Sequence, residues 1–337
     1  MLQIGIFEFC FGIDKGWINR YNVSIKMKSG VFMYSLVVAA IVCATINNFF
    51  LHLLSNKVRR YNPYLFNGAI TLVWVVCLLI YSGGFGISTR ETAIFGCLYG
   101  LTLTGFIFFK SMAMATGSLA LTALIGCGSF VVTTIFNAVY WHEQIGAFEI
   151  IGIILMLIAV LMINRSSNNT DTEKKDNGSF RWKLYCAMFF IFSAATGIIF
   201  RFHQTADKAH TDEMMIFSAI VATLMLCLIA AIRAVMAKKD EGTCRQSEKA
   251  DKKAKLILCA IAVAGGIFSC VYNRLNIYNS GVLPSTFFFP VFNGGVVIGS
   301  LLVGIFFFKE KPSKIQLLGV CLGCLAIVTL SRFFGLF

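Results

Sequence analysis

Residues 117–152, GSLALTALIGCGSFVVTTIFNAVYWHEQIGAFEIIG, and residues 281–319, GVLPSTFFFPVFNGGVVIGSLLVGIFFFKEKPSKIQLLG, carry one pattern twice. Each copy starts at Gly-x-Leu, runs through one apolar stretch, turns at a glutamate and resumes in a second apolar run bearing a glycine. Gly117, Leu119 and Thr122 return as Gly281, Leu283 and Thr286 at an offset of 164, and Glu143, Gly152 and Ala159 as Glu310, Gly319 and Ala326 at 167. Outward from there the halves still match: Tyr34, Ala44, Thr45, Phe49 and His52 recur as Tyr185, Ala195, Thr196, Phe200 and His203, 151 residues later. The offset grows along the chain, as insertions in loops between matched helices require.

The composition says what kind of solvent this repeat is built for. The 337 residues are 58% apolar and 13% charged, with 33 Phe and only 4 Pro, and the mean hydropathy is +0.78. Soluble domains run at about 45–50% apolar and about 25% charged. These values exclude a soluble enzyme, a disulfide-stapled secreted module and a disordered chain. They predict an all-α polytopic membrane protein of about ten spans of some 20 residues each. Runs of that length lie at 32–54, 62–82, 92–114, 118–140 and 146–164, then at 182–203, 212–235, 255–278, 282–308 and 313–333.

Polar sequence divides these runs. Residues 165–181 form a linker with five spans on either side, and residues 236–254 are a second run of mixed charge. The organisation is an N-terminal extension at 1–31, a first five-helix repeat at 32–164, the linker, and a second repeat at 182–333. Residues 1–30 contain Glu8 and Asp14 and lack a signal peptide's apolar core. They read either as an interfacial extension or as sequence upstream of a start at Met27. An odd number of spans per half makes the second half enter from the opposite side. The expectation is an inverted repeat, a recurring build of secondary transporters, with solute held near the midplane between the halves.

Net charge of +13 does not point to nucleic acid, because the basic residues sit in short connections flanking apolar runs. Most of the twelve cysteines lie inside apolar segments, where Cys packs as a small apolar residue. Cys321-x-x-Cys324 is embedded in one of them, whereas redox chemistry wants a partly exposed, electropositive site.

The small-residue helix, acidic turn and glycine-bearing final helix at Gly117–Gly152 (through Trp141-His142-Glu143-Gln144) and at Gly281–Gly319 (through Lys309-Glu310-Lys311) resemble the end of an EamA-type half. The resemblance is to the drug/metabolite transporter superfamily and covers about residues 31–333. It implies a ten-helix exporter or permease for small organic solutes in a cell membrane such as the bacterial inner membrane, working without ATP. In agreement, no Gly-x-x-x-x-Gly-Lys-Ser/Thr loop is present. No cofactor, metal ligand set or catalytic group is expected.

Candidate functional residues follow from what a bilayer tolerates. Glu143 and Glu310 stand before the last helix of each half, where unpaired N–H groups and the helix dipole stabilise a carboxylate. Pro284 and Pro290 in the ninth span, and Gly126 and Gly128 at the same depth of the fourth, weaken their helices. A span opened there would free backbone groups for a ligand, the alternative being a kink resatisfied by neighbours. Gly96-x-x-x-Gly100 and Gly319-x-x-x-Gly323 are close-packing faces, within the bundle or in a homodimer. Asn47, Asn48, Asn137, Asn273, Asn276 and Asn293 are polar groups at membrane depth, which either knit helices or line a wet cavity. Asn293 and Asn273 are the candidates for solute contact. His52 and His203, at matched span ends, read as interfacial anchors.

Lys110 and Arg274 occupy matched positions seven residues before Gly117 and Gly281. Their bland role is snorkelling. Their sharper role is recognition of an anionic or strongly polar solute, with one cation near each opening. The first span contains no Asp or Glu, and apart from Asp212 and Glu213 at the very start of the seventh run, the one carboxylate inside any span is Glu149, within a turn of a membrane surface. The small four-helix multidrug relatives carry a glutamate in their first helix. Its absence argues against a drug-cation/proton exchanger, and the scaffold or sensor alternative stays open because fold does not fix function.

Loop charges predict orientation. Connections 55–62, 236–254 and 309–314 are richer in Lys and Arg than their repeat partners 204–212, 83–91 and 141–146. The positive-inside rule puts the basic set in the cytoplasm, whereas the family habit of cytoplasmic termini and the basic N-terminal residues favour the reverse. A cysteine in the 165–181 linker should therefore escape an impermeant thiol reagent on intact cells and react in inside-out vesicles; labelling on intact cells reverses the assignment.

Overall fold

The computed structural model describes residues 26–57, 62–84, 86, 88–116, 119–143, 145–165, 180–206, 210–240, 252–309 and 312–332. Ten α-helices account for almost all of them: α1 Lys26–Lys57, α2 Pro63–Ser82, α3 Arg90–Thr116, α4 Leu119–Tyr140, α5 Ala147–Arg165, α6 Phe180–Thr205, α7 Thr211–Asp240, α8 Lys252–Val282, α9 Ser285–Phe308 and α10 Lys314–Arg332. No strand occurs among the described residues. Six helices, α2, α3 and α6–α9, contain described segments long and apolar enough to cross a membrane. The remaining four carry shorter apolar stretches, Tyr34–Phe50, Gly128–Tyr140, Ala147–Ile163 and Lys314–Leu330. The chain is an all-helical, multi-pass membrane protein. Residues 1–25 of the N-terminal extension and most of both polar linkers lie outside the described residues, and the extension's last six residues, 26–31, already belong to α1.

Short connections make successive helices antiparallel, so the bundle has two ends. At one, here the turn end, α2, α4, α6 and α8 end and α3, α5, α7 and α9 begin; at the other, the linker end, α1, α3, α5, α7 and α9 end and α2, α4, α6, α8 and α10 begin. Local signals set the breaks. Asn62 caps α2, its Oδ1 accepting from the Tyr64 and Leu65 N–H groups, with Pro63 at the first helical position. Gly83, at φ 69°, ends the same helix in the left-handed conformation. Pro284 is not inside the ninth span: with an extended ψ of 140° it is the N-cap of α9, where its missing N–H costs no helical hydrogen bond.

Helices from opposite halves interleave. α3 packs on α6 and α7, α8 on α1 and α2, α2 on α7, and α5 on α10. Glycines set how close they come. A Cβ on Gly100 would stand 2.7 Å from the Ser218 carbonyl oxygen, and one on Gly96 3.1 Å from that of Met214, so this Gly-x-x-x-Gly face presses α3 onto α7. On α5, Gly152 receives Leu330 of α10, and Gly319 of α10 would place a Cβ 3.1 Å from the Ala159 carbonyl. Both faces are therefore consumed within the bundle. The outward surface is apolar, with Ile80, Leu224, Leu256 and Phe306 all more than 60% exposed. Cys321 and Cys324 are exposed, free thiols on it.

The glycine seam can be probed by a single methyl group. Gly100→Ala must push backbone away and should cost about 1–3 kcal/mol, the usual cost of overpacking. Gly128→Ala, whose Cβ would meet nothing nearer than 3.8 Å, should unfold in detergent at the wild-type temperature. Equal melting temperatures for the two variants would contradict the seam.

Candidate functional site

Polar side chains in an apolar bundle turn inward because nothing outside can hydrogen-bond them. Here they meet around one cavity of about 620 Å³ lined by eight helices, all except α2 and α7. Its polar wall carries Asn47 and Asn48 from α1, Asn273 and Asn276 from α8, and Asn293 from α9, with Ser129, Thr133, Ser193, Thr196 and Ser300. Aromatic rings fill the spaces between them, chiefly Phe106, Phe189, Phe200, Phe288, Phe289 and Phe292. Concave, mostly apolar sites of about 300–1,000 Å³ with a few placed polar groups are the usual form of small-molecule sites.

The carboxamides are tied down to different degrees. Asn273 accepts from the Tyr99 hydroxyl at 3.1 Å and donates to the Ser269 carbonyl at 2.8 Å, so it is largely spent on structure. Asn48 donates to Ser300 Oγ at 3.0 Å, joining α1 to α9. Asn293 donates to the Phe289 carbonyl at 2.8 Å, one turn back on its own helix. Asn47 Oδ1 and Asn276 Oδ1 are buried with no hydrogen-bond partner. Among the lining residues Lys110 is the sole charged one, and there is no carboxylate. Its ammonium lies 5.5 Å from the centre of the Phe106 ring.

The two expected cations are thus separated. Lys110 lines the cavity near the linker end, whereas Arg274 does not line it. Arg274 Nε and Nη2 donate to the two oxygens of Asp212 at 2.6 and 3.0 Å, and its guanidinium lies over the Tyr81 ring. Such a bidentate pair, in the first turn of α7, fastens α8 to α7 at the turn end. Asp212 could not be anticipated as its partner, because the two lie 62 residues apart in the chain.

Neither suspected weak point opens its helix. α4 is continuous through Gly126 and Gly128, and α9 through Pro290. Gly126 instead makes room for the Phe189 ring of α6. His203 is not an interfacial anchor: it is 1% exposed, edge-on to Phe95. The His52 side chain, Gly117, Glu310 and Lys311 lie outside the described residues.

Glu143 does something other than the expected capping of the helix that follows it. It is the last residue of a Schellman turn that ends α4, its N–H bonding to the Ala138 carbonyl while His142, at φ 51°, takes the left-handed conformation. From there the carboxylate crosses to α9. It accepts from the Ser285 N–H at 3.0 and 2.9 Å and the Thr286 N–H at 3.4 Å, and from Arg201 Nη2 of α6 at 2.9 Å. Arg201 Nη1 also donates to the carbonyls of Ser280 and Leu283 at 2.5 and 2.6 Å. Four elements are closed over one another at the turn end. Arg201 was not anticipated as a site residue, and only its place inside an apolar run marks it.

Cavity lining reaches the linker end but not the turn end. Met114 on α3, Ile163 on α5 and Gln316 on α10 all lie within a turn of their linker-side helix ends. Toward the turn end, lining stops at Thr133, Phe200, Asn276 and Phe288, and the Glu143–Arg201 closure lies beyond.

No family model matches the chain, and neither does any curated protein. Twenty-nine chains of solved structures are similar to it. One is a protein crystal structure with a TM-score of 0.66 at 14% identity, aligned over 89% of this chain and 99% of that one. The likeness is one of fold.

The geometry separates Arg274 from Lys110 by measurement. Arg274→Gln leaves Asp212 without its charge-assisted bonds and should cost about 1.5–3 kcal/mol, most of it recovered in the Arg274→Gln/Asp212→Asn double variant. A single variant as stable as wild type would show that the pair does not fasten α8 to α7.

Proposed function

We propose that the chain is a secondary transporter of a small polar organic metabolite, built as ten spans in two inverted five-helix repeats of the EamA-like type. The observation that carries this reading is the polar cavity, enclosed by both halves of an apolar bundle, reaching one end and closed at the other. A protein that only scaffolds needs no hollow of asparagines at its centre, since each buried polar group there carries a desolvation cost.

Two features support the repeat. Packing pairs exchange when each helix is replaced by its counterpart in the other half: α3 on α6 becomes α8 on α1, α3 on α7 becomes α8 on α2, and α4 on α6 becomes α9 on α1. The two non-glycine residues with positive φ among those described, His142 and Lys309, sit immediately before Glu143 and Glu310 at the repeat offset. Equivalent helix ends therefore share the left-handed conformation at one residue.

Alternating access then consists of closing the linker end over the cavity and opening the turn end. Lys110 and the absence of lining carboxylates favour a solute with acceptor or negative groups over a drug cation. The test is flux in proteoliposomes, with candidate solutes first selected by thermal shift, because a specific ligand stabilises the folded protein by mass action. Wild-type vesicles should take up a selected solute in saturable fashion, and Lys110→Gln should raise its KM about tenfold or more. Ligand-induced stabilisation with no flux above protein-free vesicles would favour a sensor, and an unchanged KM would leave Lys110 as a snorkelling residue.

A further inference from the structure

Beyond the cavity floor, each inward helix face continues with a buried polar residue one turn nearer the turn end. Helix positions four apart share a face, so on α4 Thr133 leads to Asn137, and on α6 Gly197 leads to Arg201. On α8 Asn276 is followed by Asn279 and Ser280, and on α9 Phe289 is preceded by Ser285. Asn137 and Ser285 are 0% exposed and Asn279 1%. Both polar atoms of Asn137, Nδ2 of Asn279, Oγ of Ser285, Oγ1 of Thr134 and Nε of Arg201 have no hydrogen-bond partner. Buried polar groups are nearly always paired, so a file of unpaired ones calls for a reason. Water or solute reaching them supplies it.

At the foot of this file is an anion seat. The N-terminus of a 24-residue helix offers the N–H groups of Ser285 and Thr286, the partial positive charge of a helix end lies there, and Arg201 adds a guanidinium. The unpaired hydroxyl of Ser285 and Nε of Arg201 are further donors at the same place. In this state the seat is filled by the chain's own Glu143.

We propose that Glu143 is a tethered stand-in for the solute: the anionic group of a carboxylate- or phosphate-bearing metabolite takes the same donors when the turn end opens. The exchange makes opening and solute passage one event, because the seat is neutralised either by Glu143 or by the passing anion. Arg201 and Lys110 then give the pathway one cation toward each end. This inference rests on the transporter reading for its role in transport, but the anion seat itself can be tested without flux.

The experiment uses the full-length protein in detergent, with inorganic phosphate and acetate as probes at constant ionic strength set by chloride. Wild type should melt at the same temperature in all three salts. Glu143→Ala should melt lower and recover by about 2–4 °C in phosphate or acetate, while Glu143→Ala/Arg201→Gln should not recover. Recovery in acetate alone names a carboxylate seat, and in phosphate alone a phosphate seat. A folded Glu143→Ala that ignores both anions, or recovery that persists without Arg201, overturns the proposal. If Glu143→Ala does not fold, Glu143→Asp takes its place: its shorter arm loosens the seat, and failure to respond to either anion counts equally against it. An anion response without vesicle flux would sink the transporter reading and leave the seat standing; flux without an anion response would do the reverse.

Discussion

A helix that begins inside an apolar bundle needs partners for its first N–H groups, and for α9 the partner comes from the other half of the chain. Pro284 provides no side-chain cap. Glu143 provides one across 142 residues of sequence. The remaining lone pairs of that carboxylate meet Arg201, and Arg201 in turn takes up the carbonyls that end α8. Removing any member leaves a buried charge or a bare helix end, both of which are costly in low-dielectric surroundings. The closure of the turn end is therefore a single electrostatic unit, not a set of independent contacts.

The linker end has no comparable closure among the described residues. There the interactions are softer: Arg233 stacks over the Tyr64 and Phe108 rings, and Gln316 donates to the Ile163 carbonyl at 3.3 Å. The seams that must survive any movement are those made by glycine, where α3 meets α7 and α5 meets α10 with backbone against side chain. Close-packed interfaces of this kind have few intermediate arrangements. On the transporter reading, movement at the turn end requires the donors of that electrostatic unit to pass to another acceptor together, whereas the softer linker-end contacts can part singly.

How much was legible in the sequence follows from whether the signal is local. Helix number and approximate limits are written in runs of apolar residues, but Pro284, read as a weak point inside the ninth span, instead precedes α9. Of the six asparagines in apolar runs, Asn47, Asn48, Asn273, Asn276 and Asn293 line the cavity and Asn137 does not. Partner choice was not legible. Lys110 and Arg274 look equivalent by position, and only the fold shows that Asp212 claims one of them. Glu143 was legible as a helix-end carboxylate but not as the cap of α9, because periodicity describes each helix against water or lipid and says nothing of which other helix stands beside it. Glycines were ambiguous for the same reason: Gly126 in a helix signals either a break or a close neighbour, and Phe189 decides for the neighbour.

Arg201 shows what a missed residue looks like. It sits in IIFRFHQT, at the end of α6, where a cation near a span end reads as a snorkelling residue. A guanidinium that snorkelled would keep its head in water; this one has 11% of its side chain exposed and spends its donors on two carbonyls and a carboxylate. Burying it requires all of those acceptors at once, and they come from α8, from the turn after α4 and from no residue near it in sequence. A charge that costs this much to bury and is nevertheless turned inward is held for its chemistry. On the transporter reading, Lys110 toward the linker end and Arg201 at the turn end stand on either side of the five asparagines that line the cavity, so an acceptor-rich solute meets a cation near each end.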